Sequence, residues 1–114
     1  MAITTFNIEH YKVSISHEIN ASWGGINIKA HGKVVCYGSE HRLFAYFLDS
    51  DTSSTKPMYI ENDKEGVIFL PFNDMSTFID ILRNEKPVYG YLSSEEPEWN
   101  GIGTFRVPFG ERES

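Results

Sequence analysis

The sequence predicts a β-rich α+β domain, in which seven or eight mostly antiparallel strands form a partly open barrel or sandwich with one amphipathic helix packed on it. Three observations support this fold class. Residues 11–19 alternate between apolar and polar side chains, residues 42–48 and 67–72 are apolar at both parities, and residues 73–84 repeat apolar side chains at helical spacing. These patterns are typical of a half-buried strand, of strands covered on both faces and of a helix, respectively.

The first predicted strand places Tyr11, Val13, Ile15, His17 and Ile19 on one side, which we expect to face the core. The residues that follow, 20–25 (NASWGG), are typical of a turn, because Gly24 and Gly25 can adopt the positive φ that other residues avoid.

Residues 26–38 (INIKAHGKVVCYG) allow two interpretations. A tight hairpin turn centred on His31 and Gly32 gathers the apolar side chains on one face and puts the glycine where positive φ is needed, so we favour it. A continuous strand through Gly32 would instead hold a glycine at mid-strand, at a cost of about 0.5 to 1 kcal/mol relative to alanine. In the hairpin, His31 and Lys33 lie at an exposed tip, and no cationic stripe with Lys29 forms.

The middle of the chain predicts a central strand at 42–48, a short strand at 58–60 and a second doubly covered strand at 67–72. A helix follows over 73–84, which Asn73 or Asp74 can cap by accepting backbone N–H bonds. Its core-facing stripe is Met75, Phe78, Ile79 and Leu82. Residues 88–92 and 102–107 predict two more strands around the acidic loop 93–101. We expect one globular domain over 1–109 and a frayed tail at 110–114.

Composition and charge exclude some classes of function. The net charge is −6, with +1 over residues 1–47 and −7 over the remainder, so most of the surface repels nucleic acid. Cys36 is the only cysteine, so the chain forms no internal disulfide. The N-terminal residues lack a signal-peptide pattern, and no long apolar run is present. We therefore expect a cytoplasmic location and no membrane partner.

Four residues are candidate binding residues: Trp23, Trp99, Arg42 and Glu98. Both tryptophans occur in glycine-containing turns, SWGG and EWNG, where a large ring can contact a ligand or partner. The alternative is that each ring closes over an end of the core. Glu98 belongs with Glu95 and Glu96 to a loop that lacks calcium-loop spacing, which indicates a solvated loop.

Motifs for metal binding and catalysis are weak or absent. His31, Cys36 and His41 offer only three zinc-type ligands without a CxxC pair, and a structural role is expected for them. No GxSxG, GxGxxG or GxxxxGK[ST] pattern occurs. We therefore assign no catalytic residue, no metal and no cofactor.

These observations favour a small acidic, non-catalytic interaction module that acts by protein-protein contact and self-association. With only one helix, one sheet face is left without cover, which a second copy in a homodimer or higher oligomer could supply. Three alternatives stay open. The first is a small-ligand-binding domain or enzyme with a pocket at a barrel mouth rimmed by Trp23, Trp99 and Arg42. The others are a single-stranded nucleic-acid binder, which the charge disfavours, and a nucleic-acid mimic that occupies a basic partner.

Overall fold

The computed structural model describes residues 3–49 and 55–106. The elements, in chain order, are β1 (Thr4–Asn7), β2 (His10–Trp23), β3 (Ile26–Tyr37), β4 (Arg42–Leu48), β5 (Met58–Ile60), β6 (Glu65–Pro71), a 3₁₀ turn (Phe72–Asp74), α1 (Met75–Asn84), β7 (Tyr89–Leu92), a second 3₁₀ turn (Pro97–Trp99) and β8 (Gly101–Gly103). A three-stranded sheet has the order β1-β7-β8, and a five-stranded sheet has the order β2-β3-β4-β6-β5. The predicted β-rich α+β class is confirmed, and the described strands do not close into a barrel. The predicted tail at 110–114 and the expected domain end at 109 lie outside the described residues.

Strand β4 occupies the middle of the five-stranded sheet, as its apolar sequence predicts. Its odd-numbered side chains, Leu43, Ala45 and Phe47, belong to a first hydrophobic cluster, and its even-numbered ones, Phe44, Tyr46 and Leu48, belong to or pack against a second. Strand β6 divides in the same way, because Ile68 faces the first cluster and Val67 the second. The prediction that both strands are covered on both faces is therefore confirmed.

Within the described strands, β4 and β6 form the one parallel pair, and the other pairings are antiparallel. The chain reaches β5 first, at the sheet edge, and returns through a turn at 61–64 to insert β6 beside β4. Lys64 adopts φ 57° in that turn. Arg42 thereby comes opposite Glu65, at the start of both strands.

The single helix packs on the first cluster. Met75, Phe78 and Leu82 are buried and Ile79 packs beside them, so the predicted stripe is confirmed. The predicted side-chain cap by Asn73 or Asp74 is wrong, because Asp74 precedes the helix without a capping hydrogen bond and Asn73 lies inside the preceding 3₁₀ turn. The φ of −86° and ψ of −5° at Asp74 are close to helical, since the 3₁₀ turn leads directly into α1, whereas a capping residue needs extended backbone.

The predicted hairpin turn at His31 and Gly32 is also wrong. Strand β3 runs without a break through Gly32, and the turn lies at Gly24 and Gly25, whose φ values are 57° and 82°. The glycine at position 32 has another cause: a Cβ there would lie 2.8 Å from Cε of Met75 and even nearer to its sulfur. Gly32 therefore lets the helix approach the sheet, and the close contact offsets the cost of glycine in a strand.

The β2–β3 hairpin contributes side chains to both clusters. Val34 and Cys36 belong to the first cluster, while Ile28 and Ala30, on the same strand, belong to the second. The change occurs beside an irregularity in the ladder, where three residues of β2, positions 16–18, stand against one residue of β3. A bulge of this kind bends a strand and increases its twist. The outer half of the hairpin consequently covers the second face of β4 and β6.

Candidate functional site

Strand β2 is an edge strand of the five-stranded sheet. It extends over 14 residues and, within the described part of the chain, pairs only with β3. The sequence correctly predicts a strand here, but the expected burial of Val13 and Ile15 is wrong, because their exposed fractions are 42% and 68%. The helix does not cover them. Its Phe78 ring packs against Phe47 of β4, and the thioether of its Met75 lies over Gly32 of β3.

An exposed apolar patch therefore lies along this edge. Gly32 pairs with Ile15, and a Cβ at Gly32 would lie 3.4 Å from a ring carbon of Phe72, so Phe72 and Ile15 flank the same position. Phe72 is 37% exposed. We call Val13, Ile15 and Phe72 the edge patch. Exposed side chains of this size beside the unpaired edge of a strand are typical of an interaction surface.

The polar face of β2 carries few charges near the edge patch. The ammonium group of Lys12 lies 5.6 Å from the ring centroid of Tyr37, and the His10 ring stacks on the same tyrosine at 4.6 Å between centroids. Lys12 is the only Lys, Arg, Asp or Glu between positions 10 and 15. The first half of β2 therefore carries a single strong charge of its own, and Lys33 of β3 lies opposite Ser14 on the same polar face.

Trp23, a predicted binding residue, is the last residue of β2 and is buried in the second cluster. Its indole N–H donates a hydrogen bond to the hydroxyl of Tyr46 over 3.2 Å, and its ring meets Phe44 edge to face at a centroid distance of 5.0 Å. Burial of a tryptophan with its N–H paired is typical of a core position. Burial also raises the pKa of the Tyr46 hydroxyl.

The other three predicted binding residues lie at the surface. Arg42 begins β4, and its guanidinium forms an ion pair with Glu65 at 2.8 Å. Glu98 and Trp99 lie in the second 3₁₀ turn, where they line a surface cleft of about 630 Å³. Trp23 and Arg42 do not line this cleft. The structure thus brings together two of the four predicted residues.

The loop that carries Trp99 is held by Asn100, which the sequence analysis did not single out. Asn100 is buried, its side-chain oxygen accepts a hydrogen bond from the Ser93 backbone N–H at 2.8 Å, and its amide nitrogen donates to the Met58 carbonyl at 3.1 Å. Two bonds from one buried amide fix the loop against β5. The sequence signal for this role is weak, since asparagine before glycine is equally typical of an ordinary turn.

The three residues considered as zinc ligands do not form one cluster, since Cys36 is buried in the core and His31 and His41 are partly exposed with other contacts. Burial raises the pKa of Cys36 to about 12, so its thiol stays protonated. His31 lies 3.6 Å from an Asp49 oxygen, and His41 stacks on Phe6. Over residues 3–49 and 55–106, no three His, Cys, Asp or Glu side chains converge in a way that would hold a metal ion.

Comparison with known proteins gives no match to a family model, to a curated protein or to a solved structure. The described part of the chain contains no helix with the length and apolar character that crossing a membrane requires.

Proposed function

We propose that this chain is a small, acidic, non-catalytic interaction module that associates with a second copy of itself through the outer edge of β2. The observation that supports this proposal is the edge patch, in which Val13 and Ile15 are exposed on a 14-residue edge strand. Protein partners, in the first place a second copy, are expected, whereas nucleic acid and membranes are not. A cytoplasmic location remains part of the proposal.

An edge strand offers two kinds of contact at once. Its outward N–H and C=O groups can continue the hydrogen-bonded ladder into a strand of another chain, and alternate side chains then pack against that strand. In β2, the side chains on the apolar side are Tyr11, Val13 and Ile15. Strand addition here would satisfy the backbone groups and cover the apolar side chains together.

A second copy fits this edge because the segment complements itself. Antiparallel pairing centred on Val13 places Tyr11 opposite the partner's Ile15 and Lys12 opposite the partner's Ser14, so every pair on the apolar side is hydrophobic. A register shifted to centre on Lys12 would instead oppose two ammonium groups, which is destabilising. A register centred on Ile15 must run through residues 16–18, where the ladder of β2 is irregular.

Two-fold symmetry makes this contact self-limiting. In a symmetric pair, both β2 edges are used by the same interface, so no free copy of that edge is left to recruit a third chain. The dimer would thereby remove the exposed edge that otherwise favours open-ended association. The expected assembly is a closed homodimer with a continuous sheet across the two-fold axis.

Light scattering coupled to size-exclusion chromatography, at several protein concentrations, tests the proposal. We expect the full chain to approach twice its 13.0 kDa mass as concentration rises. Ile15→Lys, which places a charge in the edge patch, is expected to give a monomer. Ile26→Lys is the matched control, because Ile26 is also an exposed residue of the β2–β3 hairpin, at 46%, but lies outside the edge patch.

A wild-type mass of 13.0 kDa at every concentration would contradict self-association. A dimer that survives Ile15→Lys but is lost with Ile26→Lys would place the interface elsewhere. Circular dichroism of both variants checks that neither substitution unfolds the chain.

A further inference from the structure

The surface cleft that contains Trp99 is independent of the β2 edge. It is formed by the end of α1, by the second 3₁₀ turn and by β8 with the residues that follow it. We call it the Trp99 cleft, lined among others by Ile81, Glu85, Tyr91, Glu98, Trp99 and Phe105. Its volume of about 630 Å³ lies within the usual range for sites that bind small molecules.

The charges among the described lining residues of the Trp99 cleft have one sign. Glu85 and Glu98 contribute carboxylates, and the lining residues within 3–49 and 55–106 include no Lys, Arg or His. Both glutamates are exposed, and within the described residues neither forms an ion pair. A cation entering the cleft would therefore meet two carboxylates without displacing a protein cation.

Aromatic rings supply the second feature of the cleft. Trp99 is partly exposed, Phe105 is 50% exposed, and the Tyr91 hydroxyl donates a hydrogen bond to the Phe105 carbonyl, which links two of the lining residues. The negative faces of such rings attract cations, most strongly in the case of tryptophan. Asn100 fixes the Trp99 loop, so part of this wall is formed before a ligand arrives.

A second cleft of similar size has a different chemistry. It has a volume of about 650 Å³ and lies between the start of β2 and the end of α1. Its described lining includes the carboxylates of Glu9 and Glu85, the ammonium group of Lys86 and the rings of His10 and Tyr11, and neither Trp nor Phe is among those residues. That mixture selects no single ligand charge, whereas the Trp99 cleft does.

We propose that the Trp99 cleft binds a trimethylammonium group, with the aromatic rings against its methyl groups and Glu98 and Glu85 balancing its charge. A quaternary ammonium fits better than a primary one, because its charge is spread over methyl groups that pack on ring faces and it needs no hydrogen-bond acceptor. The same group occurs in free choline and in trimethylated lysine side chains. Both sources present the chemistry that the cleft is built to contact.

Two-dimensional NMR of the indole N–H groups in the full chain provides the test. The chain has two tryptophans, so the resonance of buried Trp23 is an internal control, and Trp99→Phe assigns the other resonance. Titration with choline is expected to shift the Trp99 resonance with a dissociation constant on the order of millimolar. The neutral isostere 3,3-dimethylbutan-1-ol is expected to bind about tenfold more weakly.

Two variants separate the charge contribution from the shape of the cleft. Glu98→Gln is expected to weaken choline binding about fivefold, because it removes one carboxylate and keeps the side-chain size. Glu61→Gln, at an exposed carboxylate outside the cleft, is the matched control and is expected to leave the dissociation constant unchanged. A short peptide with trimethyllysine, titrated in parallel with its unmodified form, shows which source binds more tightly.

The proposal is overturned if neither choline nor the trimethyllysine peptide shifts the Trp99 resonance. Equal shifts by choline and its neutral isostere would also overturn it, since the cation would then contribute nothing. A Trp23 resonance that moves as much as that of Trp99 would indicate a change of the whole fold and contradict binding in the cleft. Because Ile15→Lys lies on another surface, its effect on self-association is independent of these results.

Discussion

Phe47→Ala is expected to lower the free energy of unfolding by about 3 to 5 kcal/mol. Phe47 is fully buried in the first cluster, at the middle strand of the sheet, and its ring meets Phe78 of α1 edge to face at 5.4 Å between centroids. Removing the ring leaves a cavity between β4 and the helix. The closely packed side chains around the cavity relax only partly and do not fill it completely. Urea unfolding followed by circular dichroism measures the loss.

Phe105→Ala is the matched control, because the same ring is removed from a position that is 50% exposed. Its effect is expected to stay within about 0.5 kcal/mol, the usual range for surface substitutions. Both variants are compared with the wild type at one protein concentration, since self-association adds to apparent stability. An effect of Phe47→Ala no larger than that of Phe105→Ala would contradict the assignment of β4 to the centre of the fold.

Val13→Cys is expected to join two chains through a disulfide when the protein is gently oxidised. In the register centred on Val13, the two copies of this residue lie directly opposite each other, with Cα atoms about 4.5 to 5.5 Å apart. That separation falls within the range a disulfide requires. A non-reducing gel is expected to show most of the chain as a dimer, which returns to a monomer after reduction.

Ile15→Cys tests the register with the same chemistry, two residues further along the same side of the strand. In the Val13-centred pairing, the two copies of residue 15 are about 13 Å apart along the strand axis, which is too far for a disulfide. Native Cys36 supplies little background, because it is buried and its raised pKa keeps the thiol protonated. Linkage of Ile15→Cys without Val13→Cys would show that the register is wrong, and linkage of neither would contradict the pairing centred on Val13.

The parts of the fold that the sequence predicts are those with strong local patterns. Residues 42–48 are apolar at both parities, and this alone identifies the central strand with a cluster on each face. The spacing of Met75, Phe78 and Leu82 likewise identifies the helix and its buried side. In both cases, the evidence lies within a single element and needs no knowledge of its neighbours.

The missed features depend on contacts between distant residues. Strand β1 has four residues and one buried side chain, Phe6, which is too little for a periodic pattern. Phe6 packs so closely on two glycines that a Cβ at Gly38 or at Gly90 would lie 2.5 Å from one of its ring carbons. The sequence likewise suggests a turn at Gly32, because the residue that requires a glycine there, Met75, lies on a helix more than 40 positions later.

The candidate sites follow the same division. Trp99 and Glu98 of the EWNG turn are predicted as binding residues and line one cleft. The other two predicted residues have partners within the fold, because Trp23 donates a hydrogen bond to Tyr46 and Arg42 forms an ion pair with Glu65.

Alternation in β2 predicts one core-facing side from Tyr11 to Ile19, but Tyr11 packs against the first cluster and Ile19 against the second, because the ladder is irregular between Ile15 and Ile19. The alternation also does not show that Val13 and Ile15 are uncovered. The exposure of these β2 side chains depends on how far the helix extends across the sheet, which the sequence of one segment cannot predict.

The proposal that two β2 edges pair is tested most directly by amide hydrogen exchange of the wild-type chain at low and high protein concentration. We expect alternate amides of residues 10–15, those that point away from β3, to become protected as concentration rises, and to lose that protection in Ile15→Lys. Amides of β4 should be protected equally at both concentrations. A chain that dimerises while the β2 amides exchange at the same rate at both concentrations would contradict the account.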